Sequence, residues 1–172
     1  MATDFRSLIR DIPDFPIPGI MFRDITPLLS DAEGYRAAIA ELVAPFKGAG
    51  IDQVAAIEAR GYLLGCPMAL GLGAGFVPVR KVGKLPFDTF KATYSLEYGE
   101  AEIEMHRDGL LDHHRVLLVD DVLATGGTMA ATINLVEQSG ATVAGIAVLI
   151  ELAALGGRAA LGGREVFSLI TL

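Results

Sequence analysis

Cysteine appears once in the 172 residues, which excludes an internal disulfide framework. Cys66 lies in Leu64-Gly65-Cys66-Pro67-Met68, an apolar setting that predicts a small buried core residue rather than a redox thiol. No uninterrupted apolar run approaches the ~18 residues of a membrane-spanning helix, so a soluble protein is expected. Basic residues are the minority: 14 Lys and Arg against 21 Asp and Glu give a net charge of -7 and a pI near 4.9. That field repels nucleic acid and anionic lipid, so neither is an expected partner and an anionic ligand must be held by a local feature. The stretch from Met1 to Asp11 has no apolar core or small-residue cleavage site, and the expected location is cytoplasmic. There is no repeat, low-complexity tract or dividing linker, and the length suits a single domain spanning 1-172. The phosphate-binding pattern G-x-x-x-x-G-K-[ST] is absent. Gly71-Leu-Gly-Ala-Gly75 has the wrong spacing for a dinucleotide fingerprint and lies between a helix and a strand.

What is present is a 52% apolar chain punctuated by 20 Gly and 8 Pro, with short elements that alternate. Pro13, Pro16 and Pro18 fix backbone dihedrals and remove donors, which predicts an extended arm. Ser30 and Glu33 have capping-box spacing; Tyr35, Ile39, Leu42, Val43 and Phe46 then share one helical face until Gly48. Gln53 to Ile57 reads as a strand, Leu63 to Leu70 as a helix, and Phe76 to Arg80 as a strand. Ala92 to Tyr98 and Ala101 to His106 read as an antiparallel hairpin. Arg115 to Val119 is apolar on both faces, as in a central strand covered on both sides. A helix from about Thr128 to Ser139 and an apolar run from Thr142 to Ile150 complete a right-handed crossover. The class is α/β, a mainly parallel doubly wound sheet with an appended hairpin. His113-His114 reads as a solvated turn, because neighbours in extended chain point to opposite sides.

The chemistry concentrates in Val116 to Thr128. A buried strand delivers Asp120 and Asp121 at its end, Gly126 and Gly127 let backbone N–H groups converge, and a helix begins; in open α/β sheets ligands bind there. The loop amides, the helix dipole and the Thr125 and Thr128 hydroxyls suit a phosphate dianion, and the two carboxylates suit ribose hydroxyls, directly or through a divalent cation. Arg80, Lys81, Lys84 and Lys91 face only Asp88 in the stretch 80-91, which is either a solvated basic loop or a second anion site.

Val116 to Thr128 resembles the phosphoribosyl-pyrophosphate signature of the type I phosphoribosyltransferases. Phe15 to Pro27, Glu58 to Tyr62, Arg80 to Pro86, Tyr94 to Gly99 and Ile150 to Leu152 are similar, in order, to segments of the adenine phosphoribosyltransferases within that family. The resemblance implies the family's fold, with a hood arm over about 1-30 and a lid and hairpin over about 81-106. It implies transfer of ribose 5-phosphate from phosphoribosyl pyrophosphate to N9 of adenine, giving AMP and pyrophosphate, with Mg2+ carried mainly by the substrate and water. Carried over by residue, Ala124, Thr125, Gly126, Gly127 and Thr128 hold the 5-phosphate, and Asp120 and Asp121 the ribose. Ala59, Arg60 and Gly61 form a pyrophosphate loop that Arg80, Lys81 and Lys84 assist. Backbone groups of Met21 and Arg23 read adenine and Leu152 packs on its face, the alternative for the arm being a tail that covers a sheet edge. Glu97, with Tyr98 beside it, is the candidate for the adenine proton, against a hairpin carboxylate facing solvent. A homodimer is expected. Another purine as acceptor is the competing enzyme reading, and Leu111 to Arg115 departs from the Pro-Gly usual in that turn. A regulatory protein that binds phosphoribosyl pyrophosphate would need a DNA-binding element, and the sequence has no helix-turn-helix pattern.

Overall fold

The computed structural model describes residues 4-95 and 100-172, and its backbone contacts gather in two compact units, Met1–Glu41 and Leu42–Leu172. In the first unit the proline-rich arm is a two-stranded antiparallel ribbon of β1 (Arg10–Pro13) and β2 (Met21–Asp24). Asp14 Oδ1 accepts the Gly19 N–H at 2.7 Å across the connecting turn. A short helix α1 (Thr26–Ser30) precedes α2 (Ala32–Val43). The residue that caps α2 is Asp31, whose carboxylate accepts the Gly34 N–H at 2.6 Å. Ser30, the expected cap, instead closes α1 by donating to the Pro27 carbonyl.

The second unit is a seven-stranded sheet in the order β5-β6-β4-β3-β7-β8-β9. Strands β3 (Gln53–Ile57), β4 (Gly75–Lys81), β7 (Arg115–Leu123), β8 (Thr142–Glu151) and β9 (Val166–Thr171) are parallel neighbours. The hairpin β5 (Thr89–Ser95) and β6 (Glu100–His106) adds antiparallel strands at one edge. Val116, Leu117, Leu118 and Val119 are all fully buried, which confirms β7 as a central strand with both faces covered. Two crossover helices connect the parallel strands: α3 (Arg60–Leu72) between β3 and β4, and α4 (Gly127–Gln138) between β7 and β8.

One expectation is corrected on α3. Cys66 is exposed, because the helix turns Leu64, Gly65, Met68 and Ala69 to the sheet and leaves Leu63, Cys66 and Leu70 on the outer face. Partial burial still pushes its thiol pKa up, which disfavours the reactive thiolate. Strand β9 follows the positive-φ glycines Gly162 and Gly163 and lies beyond the last element expected from the sequence, the apolar run Thr142 to Ile150. Among the described residues no helix is long and apolar enough to cross a membrane.

Candidate active site

The strand order reverses between β3 and β7: the β3-α3-β4 crossover moves to one side and the β7-α4-β8 crossover to the other. A crevice therefore opens at the carboxyl ends of those two strands, the place where open α/β sheets bind ligands. The register aligns Ala56 with Val119 on one side and Ile57 with Val79 on the other. Thus the residues at and just past each strand end, Glu58 to Gly61, Arg80 to Lys84 and Asp120 to Thr128, are brought to one edge of the sheet.

On the β7 side the loop from Ala124 to Gly126 leads into α4, whose first turn holds no acidic residue. The first N–H groups of a helix have no carbonyl within it to meet. Here they face a cavity of about 70 Å3 lined by Asp120 and Val122 to Met129, several times the ~10-15 Å3 needed to hold one water. That leaves room for a small group such as a phosphate. Gly126 has φ +86°, and a Cβ there would lie 2.4 Å from the Gly157 carbonyl oxygen. Gly157 meets the loop in return: its own Cβ would lie 2.3 Å from the Ala124 oxygen. The 3-10 turn Gly157–Leu161 thus rests on the loop and fixes its shape.

That turn is tied down by residues the sequence reading did not single out. Arg158 donates through Nε and Nη2 to both carboxylate oxygens of buried Glu151, each at 2.6 Å, and Ser168 Oγ donates to the same group at 2.8 Å. Arg158 holds the Glu151 carboxyl below its usual range; burial opposes this and Ser168 assists. Beside this clamp, Leu152 N–H donates to the Leu123 carbonyl at 2.9 Å, which places Leu152 next to the start of the loop that leads into α4. Arg158→Ala should leave the buried carboxylate with Ser168 alone and cost about 2 kcal/mol. Because the Glu151 pKa is lowered on folding, this stabilisation is complete above the ordinary value of 4.5 and is lost as pH falls through the folded value. Urea denaturation of both proteins at neutral pH and in acid well below 4.5 checks this; an equal stability gap in both media would refute it.

Asp120 and Asp121 lie at the end of β7. Desolvation raises the Asp120 carboxyl well above its usual range, and the neighbouring Asp121 charge adds to the shift. The Asp121 N–H donates to Asp120 Oδ1 at 2.8 Å, and Asp121 Oδ2 pairs with Arg60 Nε at 2.6 Å. Gly61 permits this approach of α3 to β7, since a Cβ would lie 3.0 Å from Asp120 Oδ1 and 3.1 Å from the Val119 oxygen. The Ala59, Arg60 and Gly61 segment and the two aspartates therefore form one surface.

Beyond it, Arg80 Nε donates to Glu58 Oε2 at 2.9 Å, the Lys81 N–H donates to Glu58 Oε1 at 2.8 Å, and Arg80 Nη1 donates to the Lys84 carbonyl at 3.1 Å. Burial acts to raise the Glu58 carboxyl, but the Lys81 amide and Arg80 guanidinium outweigh it and leave the pKa lowered. Arg80 thus braces the strand ends, while the side chains of Lys81 and Lys84 are exposed. In the arm unit, Met21 and Arg23 stand two apart in β2, so their backbone groups face the same edge. Arg23 Nη1 pairs with Asp11. Glu97 and Tyr98 lie outside the described residues.

Among the described residues no cluster of three or more His, Cys, Asp or Glu could hold a metal ion. Mg2+ commonly takes one or two carboxylates, waters and substrate phosphates. Asp120 and Asp121 beside a phosphate-sized cavity fit an ion brought in by a phosphorylated substrate and do not form a cage of their own.

Residues 29-162 match the phosphoribosyl transferase domain family. An adenine phosphoribosyltransferase of Nocardioides sp. is 55% identical over 170 residues, covering 96% of this chain and 92% of that one. The crystal structure of adenine phosphoribosyltransferase from Thermoanaerobacter pseudethanolicus superposes with a TM-score of 0.97 at 48% identity and full coverage of both chains. The Saccharomyces cerevisiae enzyme, solved with adenine and D-2,5-dideoxy-2,5-imino-altritol 1,6-bisphosphate, has a TM-score of 0.93 at 38% identity over 98% of this chain and 97% of that one. With the strand-end loop, the paired aspartates and near-complete coverage all in agreement, the chain belongs to the adenine phosphoribosyltransferase family of phosphoribosyltransferases.

Proposed function

We propose that the protein transfers the 5-phosphoribosyl group of phosphoribosyl pyrophosphate to N9 of adenine, releasing pyrophosphate and forming AMP in purine salvage. The observation that supports it most is the switch-point crevice, where a phosphate-sized loop and a basic strand end flank two carboxylates. Strands β4 and β7 are two steps apart in the sheet, about 10 Å. An elongated substrate with a phosphate at each end matches that layout. The loop Ala124 to Thr128 binds the 5-phosphate, Asp120 and Asp121 the ribose hydroxyls, and Ala59 to Gly61 with Lys81 and Lys84 the pyrophosphate. Arg80 supports that end through Glu58.

In the reaction the bond from C1 of the ribose to the pyrophosphate oxygen breaks, the bond from adenine N9 to C1 forms, and the N9 proton is lost. Positive charge develops on the ribose as in glycoside cleavage, and the carboxylates at the β7 end stabilise it. Arg60 and the lysines meet the negative charge left on pyrophosphate. Magnesium, when bound with the substrate, supplies further neutralisation of that charge. Glu97, with Tyr98 adjacent, accepts the adenine proton. The hairpin of β5 and β6 excludes water that would hydrolyse the activated sugar. The resemblance assigns the adenine edge to the backbone of Met21 and Arg23, and the ring face to the Leu152 side chain.

Product chromatography after incubation with phosphoribosyl pyrophosphate, Mg2+ and each purine separately tests the assignment. Hypoxanthine and guanine should be used at least ~100-fold less well than adenine, since a site paired to one donor and acceptor pattern leaves buried groups unpaired with another. Comparable turnover of all three would sink the adenine reading and leave the fold untouched.

The working unit of this proposal is a homodimer. Leu63, Cys66 and Leu70 recur at helical spacing on the outer face of α3, and Leu70 is 84% exposed. A two-fold contact is the commonest way to cover such a stripe. Because α3 begins at Arg60, covering it also steadies the pyrophosphate loop. Dilution should therefore lower mass and specific activity together. Sedimentation at 18.1 kDa with full activity at the same concentration would refute the dimer.

A further inference from the structure

Glu104 is only 3% exposed, although it sits on the alternating face of β6 that also carries exposed Glu100 and Glu102. The difference is the loop between β4 and β5, which folds over it. Its Oε1 accepts the N–H groups of Lys84 and Leu85, both at 2.9 Å, and its Oε2 accepts the Thr89 hydroxyl at 3.3 Å. The opposite side of the Lys84 backbone is held as well, because its carbonyl accepts from Arg80 Nη1 at 3.1 Å. Arg80 is in turn fixed by Glu58 at the end of β3. One continuous chain of contacts therefore runs from Glu58, beside Arg60, through Arg80 and the Lys84 peptide to Glu104.

We propose that Glu104 is a positioning residue for anion binding: by gripping the Lys84 and Leu85 amides it presents the Lys84 ammonium at the β4 end, where it meets the pyrophosphate group. Glu104 itself touches no substrate. A carboxylate does this better than a neutral group, since a charged acceptor binds two converging N–H groups more strongly. Burial acts to raise the Glu104 carboxyl, and the Leu85 and Lys84 amides, with Thr89 and Gly83, outweigh it and hold the pKa below its usual value. The group is thus ionised at neutral pH. Losing this grip leaves a long side chain to be ordered at binding, a cost paid selectively by the ligand that Lys84 meets.

The proposal rests on the pyrophosphate reading above, and its test separates the two. Glu104→Gln keeps the shape of the side chain and removes its charge; Glu104→Ala removes the grip. Binding of inorganic pyrophosphate with Mg2+, and separately of AMP, is measured by calorimetry for both variants, for Lys84→Met, and for the Glu104→Ala/Lys84→Met pair. Pyrophosphate affinity should fall by about 5- to 10-fold in Glu104→Ala, the scale of ordering one long side chain, and by less in Glu104→Gln. AMP affinity should stay within about twofold, because the phosphate loop on β7 is held separately, by Gly157 and the Arg158 clamp. In the Lys84→Met background Glu104→Ala should add nothing. Equal losses for AMP and pyrophosphate, no loss at all, or an undiminished effect without Lys84 would each overturn the proposal. A wild-type protein that binds pyrophosphate but makes no AMP would instead sink the reading of its function.

Discussion

Replacing Asp120 and Asp121 together with alanine is expected to lower kcat/KM by about 10^3-fold or more, near 4 kcal/mol of transition-state stabilisation, on the scale of losing preorganised electrostatic groups. The fold should survive. Asp120 is a carboxyl whose pKa is raised in the folded protein, by desolvation first and then by Asp121. The sign follows from linkage: at neutral pH such a group is harder to ionise folded than unfolded, so it opposes folding, and the opposition fades only as pH falls through the raised value. Removing Asp120 alone relieves that cost, so the urea midpoint of Asp120→Ala should hold or rise, while Asp121→Ala gives up its pair with Arg60. At Asp120 activity and stability thus move in opposite directions, as they do when a strained charge is retained for chemistry. The single variants differ as well. Asp121 is paired with Arg60, so Asp121→Ala should weaken pyrophosphate binding in addition to its effect on the ribose, whereas Asp120→Ala should act mainly on kcat. Retention of most of kcat/KM by the double variant would show that the strand end has been misread.

Features carried by a local rule were legible in the sequence. The all-apolar run of β7 could only be a central strand, and two carboxylates followed by paired glycines and a helix placed the loop between β7 and α4 within a residue or so. The hairpin of β5 and β6 was visible from alternation. What stayed hidden depends on partners distant in sequence. Glu104 shares its alternating pattern with solvated Glu100 and Glu102 and is buried only because another loop folds over it. Glu58 sat within a recognisable segment, yet its role emerges only when the parallel register brings Arg80 beside it, 22 residues away. Asp31 displaced Ser30 as the cap of α2 because a five-residue helix, too short to show periodicity, takes Ser30 into its last turn. Cys66 was misplaced because an apolar neighbourhood in sequence says nothing about which helical face meets the sheet.

Gly126→Ala should damage both stability and binding through a single added methyl group. At φ +86° any L side chain is strained, at roughly 1-2 kcal/mol. The added Cβ would also stand 2.4 Å from the Gly157 carbonyl oxygen and 3.0 Å from Ala160 Cβ. Backbone on both sides must move to relieve that contact. Gly157 has little freedom to retreat, since Arg158 beside it is locked to Glu151 and to the Val166 carbonyl at 3.0 Å. The loop from Ala124 to Thr128 must therefore distort, and the first N–H groups of α4 turn away from the cavity they line. We expect a stability loss of about 3 kcal/mol or more, and a fall of about 100-fold in kcat/KM carried mainly by phosphoribosyl pyrophosphate, since misplacing a binding loop by about 1 Å has that effect. Gly163→Ala supplies the control. That residue has φ +76° and no atom within 4 Å of its would-be Cβ, so it isolates the backbone cost, about 1 kcal/mol, and should leave kinetics unchanged. The difference between the two variants, read by urea denaturation and by AMP binding, measures the clash alone. Equal stability losses with intact AMP affinity in both would mean that the turn beginning at Gly157 does not shape the loop before α4.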